Sequence, residues 1–152
     1  ASIKCDYERL FKHHSKFKSI LKSLISPSLH AVVFIRLAQY GPSAMFWLWR
    51  YILIFVYSID VGKGLSIGPG LILPHPVSIV FGGGIKLGAN ATIYQGVTLG
   101  SKRHMYPVIG DNTVIFTNSV VVGDIKVGDN VKIGALQFVD YSVESKQVLA
   151  GK

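Results

Sequence analysis

The 152-residue chain has one cysteine, Cys5. A single thiol excludes an intrachain disulfide framework and suits a reducing, cytoplasmic compartment. Charge is scarce as well, at 16% of residues against 49% hydrophobic. An apolar chain of this kind fits burial in an oligomer or contact with a membrane. What charge there is has one dominant sign: sixteen Lys and Arg face eight Asp and Glu, for a net charge of +8. That balance favours anionic partners such as a phosphorylated cofactor, an anionic polymer or acidic lipid. Nucleic acid is disfavoured, because the basic residues are scattered with no aromatic platform or zinc-finger spacing beside them. Asp6 and Glu8 near the start, with no apolar core before a cleavage site, give no expectation of a signal peptide.

A long apolar run is also missing. A membrane span needs roughly 20 apolar residues. The longest candidate here, AMFWLWRYILIFVYSI, carries Arg50 in its middle, which costs about 2.5–3.5 kcal/mol in a span. The favoured expectation is that the helices of residues 1–59 pack on one end of the following domain and on neighbouring subunits. Shallow peripheral attachment to the inner membrane, helped by Lys12, Lys16, Lys18 and Lys22, is the alternative.

What is abundant is a repeat. From Val61 the chain reads VGKGLS, IGPGLI, LPHPVS, IVFGGG, then, after a two-residue slip, LGANAT and IYQGVT. Leu99 opens a turn interrupted by a loop. The repeat resumes at Ile109 as IGDNTV, IFTNSV, VVGDIK, VGDNVK and IGALQF. A period of six suits neither a helix nor an alternating strand, but it fits a parallel β-solenoid of about 18 residues per triangular coil and roughly four coils. Each leading Val, Ile or Leu is expected to point inward. Gly, Asn and Asp are expected at corners that need positive φ. The expected organisation is a helical segment over 1–59 and a β-solenoid domain over 60–152.

Before the solenoid the period changes. Tyr7, Leu10, Phe11, Phe17, Ile20, Leu21, Leu24 and Ile25 predict an amphipathic helix capped by Asp6. Ser26-Pro27 stops it and opens a second helix, which runs to Tyr40 and ends at Gly41-Pro42. Ser43 is expected to cap a third.

Few solenoid residues can do chemistry. His75 sits between Pro74 and Pro76, fifteen residues after Asp60. That offset, near one coil, predicts adjacent turns. An imidazole can take a proton, and a carboxylate on its other nitrogen sets the tautomer and steadies the imidazolium. A surface histidine at a turn is the competing reading. The loop GSKRHMYP, from Gly100 to Pro107, breaks the register and carries Lys102, Arg103 and His104, either as a binding element or as a solvated edge.

DVGKGLSIGPGLILPHPVSIVFGGG followed by IYQGVTLG resembles the serine O-acetyltransferases and related polysaccharide O-acetyltransferases. The resemblance covers Asp60 onward closely and the helical lead-in more loosely. It implies a mainly β fold, a left-handed parallel β-helix of hexapeptide repeats after a short α-helical segment, and a homotrimer with intersubunit sites. It also implies acetyl-CoA as co-substrate and no metal, with His75 as general base and Asp60 orienting it. Gly100 and Ser101 are then candidates to hold the thioester carbonyl; Lys102, Ala135, Lys146 and Lys152 are candidates for the rest of the co-substrate. Arg103, His104 and Tyr106 are candidates for acceptor contact.

Two departures set the acceptor expectation. Serine enzymes of this kind carry an aspartate just before the catalytic histidine, where this chain has Pro74. A second family histidine falls at Tyr106. The site thus lacks a carboxylate for serine's ammonium, and the expected acceptor is a sugar hydroxyl of a capsular, O-antigen or exopolysaccharide unit. A serine O-acetyltransferase of cysteine biosynthesis and a non-catalytic hexapeptide scaffold are the alternatives. A zinc hydratase resembling the γ-class carbonic anhydrases needs three histidine ligands, whereas the solenoid has only His75 and His104. An acyl-enzyme through Cys5 has no histidine assigned to activate the thiol.

Overall fold

The computed structural model describes residues 2–12 and 25–150. Among the described residues, thirteen short strands wind into three parallel sheets, one on each face of a triangular solenoid. Face one stacks β1 (Asp60–Val61), β3 (Val80–Phe81), β6 (Thr98–Gly100), β9 (Val120–Val122) and β12 (Phe138–Val139). Face two stacks β2 (Ser66–Ile67), β4 (Lys86–Leu87), β7 (Val108–Ile109) and β10 (Lys126–Val127). Face three stacks β5 (Thr92–Ile93), β8 (Val114–Ile115), β11 (Lys132–Ile133) and β13 (Val148–Leu149), with Ile72 bridging to Thr92 ahead of them.

The leading aliphatics form the core as the repeat requires. Val61, Ile67, Leu73, Ile79, Leu87, Ile93, Leu99, Ile109, Ile115, Val121, Val127, Ile133 and Val139 are all buried. Val80 pairs with Thr98 and Val120 with Phe138, eighteen residues apart in each case. Thr98 pairs with Val120, twenty-two apart, because the coil between them accommodates the extra loop. Asn90, Asn112, Asn118 and Asn130 take the expected positive φ at corners. Ser78 does so too, as do Leu136 and Lys146, which lack the small polar side chain that would have signalled it.

The described helices are α1 (Ser2–Phe11), α2 (Pro27–Tyr40) and α3 (Phe46–Tyr57). Ser26 caps α2, its side chain accepting from the Leu29 N–H at 3.3 Å, and the Gly41 N–H closes the far end on the Leu37 carbonyl. Two expected caps are corrected. Asp6 lies inside α1, which begins at Ser2, and its carboxylate is buried against Arg36 instead of ending the helix. Ser43 opens a single 3₁₀ turn, Ser43–Met45, so α3 starts at Phe46 without a side-chain cap. Phe17, Ile20, Leu21 and Leu24 of the first predicted helix, with Lys16, Lys18 and Lys22, lie outside the described residues.

The helices dock on the first coil, which meets the part of the favoured expectation that concerns the chain itself. Ala31, Val32, Ile35, Phe46 and Leu53 join the solenoid's own core. Arg36, 1% exposed, is the largest fully buried side chain among the described residues. Its guanidinium grips Asp6 through Nε at 2.8 Å and Nη2 at 3.0 Å, and donates to the Ile67 and Gly68 carbonyls at 2.7 Å each. Asp6 also accepts the Leu71 N–H at 2.8 Å. Arg9 donates to the Gly70 and Ala91 carbonyls. The outer face of α3 stays apolar and exposed, with Trp47 at 62% and Phe55 at 69%. Among the described residues no helix is long and apolar enough to cross a membrane.

Candidate functional site

Each coil turns three corners, and the candidate residues divide among them. His75 lies on the corner from face three to face one, between Ile72 and β3. It is exposed. Its carbonyl accepts the Val77 N–H at 2.9 Å across Pro76, a tight three-residue turn. With Pro74 on the other side, the backbone that aims the imidazole has little freedom. Tyr94 and Phe116 follow on the same corner in the next two coils, and Gly134-Ala135 comes after them.

Asp60 opens β1, next to the same corner. Both of its carboxylate oxygens are engaged by Arg50 of α3, Nε to Oδ1 at 2.7 Å and Nη2 to Oδ2 at 3.0 Å. Hydrogen bonding to Asp60 holds the Arg50 guanidinium above its ordinary range, and the same guanidinium sits 5.4 Å over the Trp47 ring. Among the described residues no hydrogen bond joins Asp60 to His75; the ring beside His75 is Tyr94. The arginine read from the sequence as an obstacle to membrane insertion is therefore the partner of the candidate aspartate. The sign of it was a lone cation in an apolar helix ten residues before a carboxylate.

The register-breaking loop rises from the next corner, between face one and face two. It is a two-residue hairpin. Lys102 and Met105 exchange backbone hydrogen bonds at 3.0 and 3.1 Å, with Arg103 and His104 both at positive φ, 54° and 65°. A turn with two left-handed central residues matches the twist of the flanking chain and usually takes Asn-Gly. Lys102 Nζ ties the hairpin to Asp140 Oδ2 at 2.7 Å. A shallow depression of about 260 Å³ opens beneath it, lined by Lys102, Arg103, Met105, Gly123, Asp124, Ile125 and Asp140.

Tyr106 behaves differently from its neighbours. Its ring lies over Gly82 and Gly84, where an added Cβ would come within 2.6 and 2.3 Å of ring carbons. The run FGGGI is thus a notch that receives this ring. The middle glycine, Gly83, is needed for another reason: it touches the previous coil, where its Cβ would meet the Lys63 carbonyl at 2.5 Å.

One chain therefore gathers some candidates and separates others. His75, Asp60 and Ala135 share one edge of the solenoid. Lys102, Arg103, His104 and Tyr106 occupy the corner at the other end of face one, with Gly100 ending β6 and Ser101 exposed beside them. Lys146 sits on the remaining corner, beside Asp129. Lys152 lies outside the described residues. Among the described residues no cluster of three metal-ligating side chains occurs.

Comparison with known proteins points one way. A model of the bacterial transferase hexapeptide family (six repeats) matches residues 106–136. A serine acetyltransferase of Staphylococcus aureus (strain Mu50 / ATCC 700699) is 42% identical over 103 residues, covering 64% of this chain and 47% of the relative. One from Staphylococcus epidermidis gives the same figures. The chain thus spans about half the length of the curated relatives it matches. Among solved structures, serine acetyltransferase isoform 3 from Entamoeba histolytica, in complex with cysteine, superposes with a TM-score of 0.86 at 28% identity. The match covers 99% of this chain and 57% of that one. The Neisseria gonorrhoeae enzyme in complex with serine gives 0.87 at 26%, covering 99% and 66%. The fold is that of the hexapeptide-repeat acyltransferases, and the chain resembles the serine O-acetyltransferases among them.

Proposed function

We propose that this chain transfers an acetyl group from acetyl-CoA to a hydroxyl, with His75 as general base. The carrying observation is His75 itself, exposed and fixed between two prolines on a solenoid that superposes on serine acetyltransferases. His75 takes the proton of the acceptor hydroxyl as its oxygen bonds to the acetyl carbon. The same proton then passes to the departing CoA sulfur as the C–S bond breaks. General-base assistance of this kind contributes about 10²–10⁴ in rate. Asp60 would steady the imidazolium only with one oxygen released from Arg50, which here holds both.

The surface fits the co-substrate. Beyond Phe116 the histidine corner is bare, Gly134 followed by exposed Ala135, which leaves room for an extended arm along the edge. Gly100 and Ser101 would present N–H groups to the thioester carbonyl, while Lys102, Lys146 and Lys152 would answer its phosphates. Arg103, His104 and Tyr106 sit one face away from His75 in the same chain. In this reading a neighbouring copy brings its hairpin to the histidine, and the working unit is a trimer. The exposed apolar face of α3 would pack there or rest on a membrane surface.

The relatives' printed activity favours L-serine as acceptor. A second reading, a sugar hydroxyl, is favoured by Pro74, which places no carboxylate next to His75 for an ammonium group. CoA release from acetyl-CoA, measured with L-serine, UDP-sugars and deacetylated capsular or O-antigen oligosaccharides, tests both. The expected result is acceptor-dependent release that falls at least about a hundredfold in His75→Ala. Equal rates in the two proteins would remove His75 from the chemistry.

A further inference from the structure

The turn that carries His75 is fastened to the end of α3. Ile72 bridges to Thr92 and Val80 pairs with Thr98, so the first coil takes two residues more than the next to round this corner. The surplus falls around Pro74-His75-Pro76 and leaves His75 exposed. The Ser78 N–H donates to the Tyr57 carbonyl at 3.4 Å, and the Asp60 N–H to the Ile79 carbonyl at 2.9 Å. The stretch from Tyr57 to Asp60 therefore runs beside the return of the turn. Asp60 opens β1 at the edge where His75 stands. The charged and titratable groups around the two residues come from three elements. Arg50 of α3 is on Asp60. Tyr57, at the end of the same helix, turns its ring toward Phe34, and burial raises its pKa. Tyr94 of the next coil lies 6.5 Å from His75 between ring centroids, with Phe116 stacked on it at 5.0 Å to form an aromatic column.

We propose that Arg50 is a positioning residue for the candidate base: it fixes the Asp60 carboxylate at the histidine edge and limits how much of its charge reaches His75. This rests on the acetyl-transfer reading and adds a residue to its site. Arg50 takes Asp60 in a fork, one nitrogen on each oxygen, and Trp47, one helical turn earlier, covers the guanidinium. A fork of this kind sets the plane of the carboxylate as well as its place. It also leaves a third group facing a close pair of opposite charges in place of a full negative charge. An unopposed carboxylate beside an imidazole favours the imidazolium. A base that already holds a proton takes none from a hydroxyl. The fork thus sets a balance: closed, it spares the imidazole from early protonation; with one oxygen released, it lets Asp60 meet the ring N–H as the acceptor's proton arrives. Arg50 is 30% exposed and Asp60 43%, so water can replace the released bond without repacking of the helix.

NMR of the whole chain with labelled histidine tests this without turnover. The His75 resonance is assigned by its loss in His75→Gln. The proteins are wild type, Arg50→Met, Arg50→Gln, Arg50→Lys, Asp60→Asn, and Arg50→Met combined with Asp60→Asn, each checked for native circular dichroism. The His75 titration midpoint is expected to rise by about one unit in Arg50→Met and in Arg50→Gln. It should move less in Arg50→Lys, which keeps the charge but not the fork. Asp60→Asn should lower the midpoint about twice as far in the Arg50→Met background as in wild type, since the two residues act through one contact. The acid limb of kcat/KM for CoA release should follow the midpoint, which a purely structural role for Arg50 would not produce. A midpoint unmoved in both neutral variants overturns the proposal. So does a rise that persists undiminished when Asp60→Asn is added, because Arg50 would then act on His75 directly. Turnover that needs His75 beside an unmoved midpoint would leave acetyl transfer standing without Arg50. A midpoint that moves as expected in a protein that turns over no acceptor would uphold the positioning and end the acetyl-transfer reading.

Discussion

At the scale of single residues, the glycines of FGGGI decide where the loop sits. Gly84 has room for Tyr106 only because it lacks a Cβ. Gly84→Ala is expected to cost roughly 1–3 kcal/mol, the range for overpacking a filled site, read from the denaturant midpoint. Adding Tyr106→Ala should recover much of that loss relative to Tyr106→Ala alone, since the two residues act through one contact. Full additivity would mean that the ring does not use the notch. The sequence showed three glycines but not their purposes. Two receive a ring from a loop more than twenty residues later, and one lets two coils touch. Nothing local to FGGGI distinguishes them.

At the scale of elements, the hairpin is held in a turn that its own residues disfavour. A left-handed conformation costs a side-chain-bearing residue about 1–2 kcal/mol, and Arg103 and His104 both adopt it. Replacing them together, Arg103→Asn with His104→Gly, is expected to raise stability by about 1 kcal/mol or more in a thermal melt. If the hairpin completes a neighbour's site, the same variant loses acceptor-dependent turnover while gaining stability. A retained rate would confine the loop to a structural role. The strands themselves were legible because the six-residue period is local: each unit carries its own inward aliphatic and its own corner. The aromatic column was legible in part. IYQGVT and IFTNSV both place an aromatic second, and IGALQF breaks the series with glycine. What the repeat could not convey is anything set by the angle at which helices meet the first coil. The Arg50–Asp60 and Arg36–Asp6 pairs both depend on that angle.

At the scale of the whole molecule, the Arg36–Asp6 pair joins helices to solenoid. A buried pair adds little over a well-packed apolar pair, but removing one partner leaves an uncompensated charge. Asp6→Ala is expected to cost about 3–5 kcal/mol in chemical denaturation. Replacing both, Asp6→Leu with Arg36→Met, should not restore wild-type stability. Arg36 also serves the Ile67 and Gly68 carbonyls, and methionine offers them no donor. A double variant as stable as wild type would show that those carbonyls are content with water.

Those same bonds bear on how copies of the molecule avoid one another. In the ladder alternate residues turn to alternate sides: Ser66 and Gly68 give their N–H groups to the following coil at Ile85 and Leu87. The Ile67 carbonyl between them points the opposite way, where among the described residues no earlier coil lies. An open row of this sort is a template for another chain's backbone. Arg36 occupies it at Ile67 and Gly68, and Arg9 extends the cover to Gly70. The two guanidinium groups stand in for a missing turn of backbone, closing the stack to end-on growth into fibres.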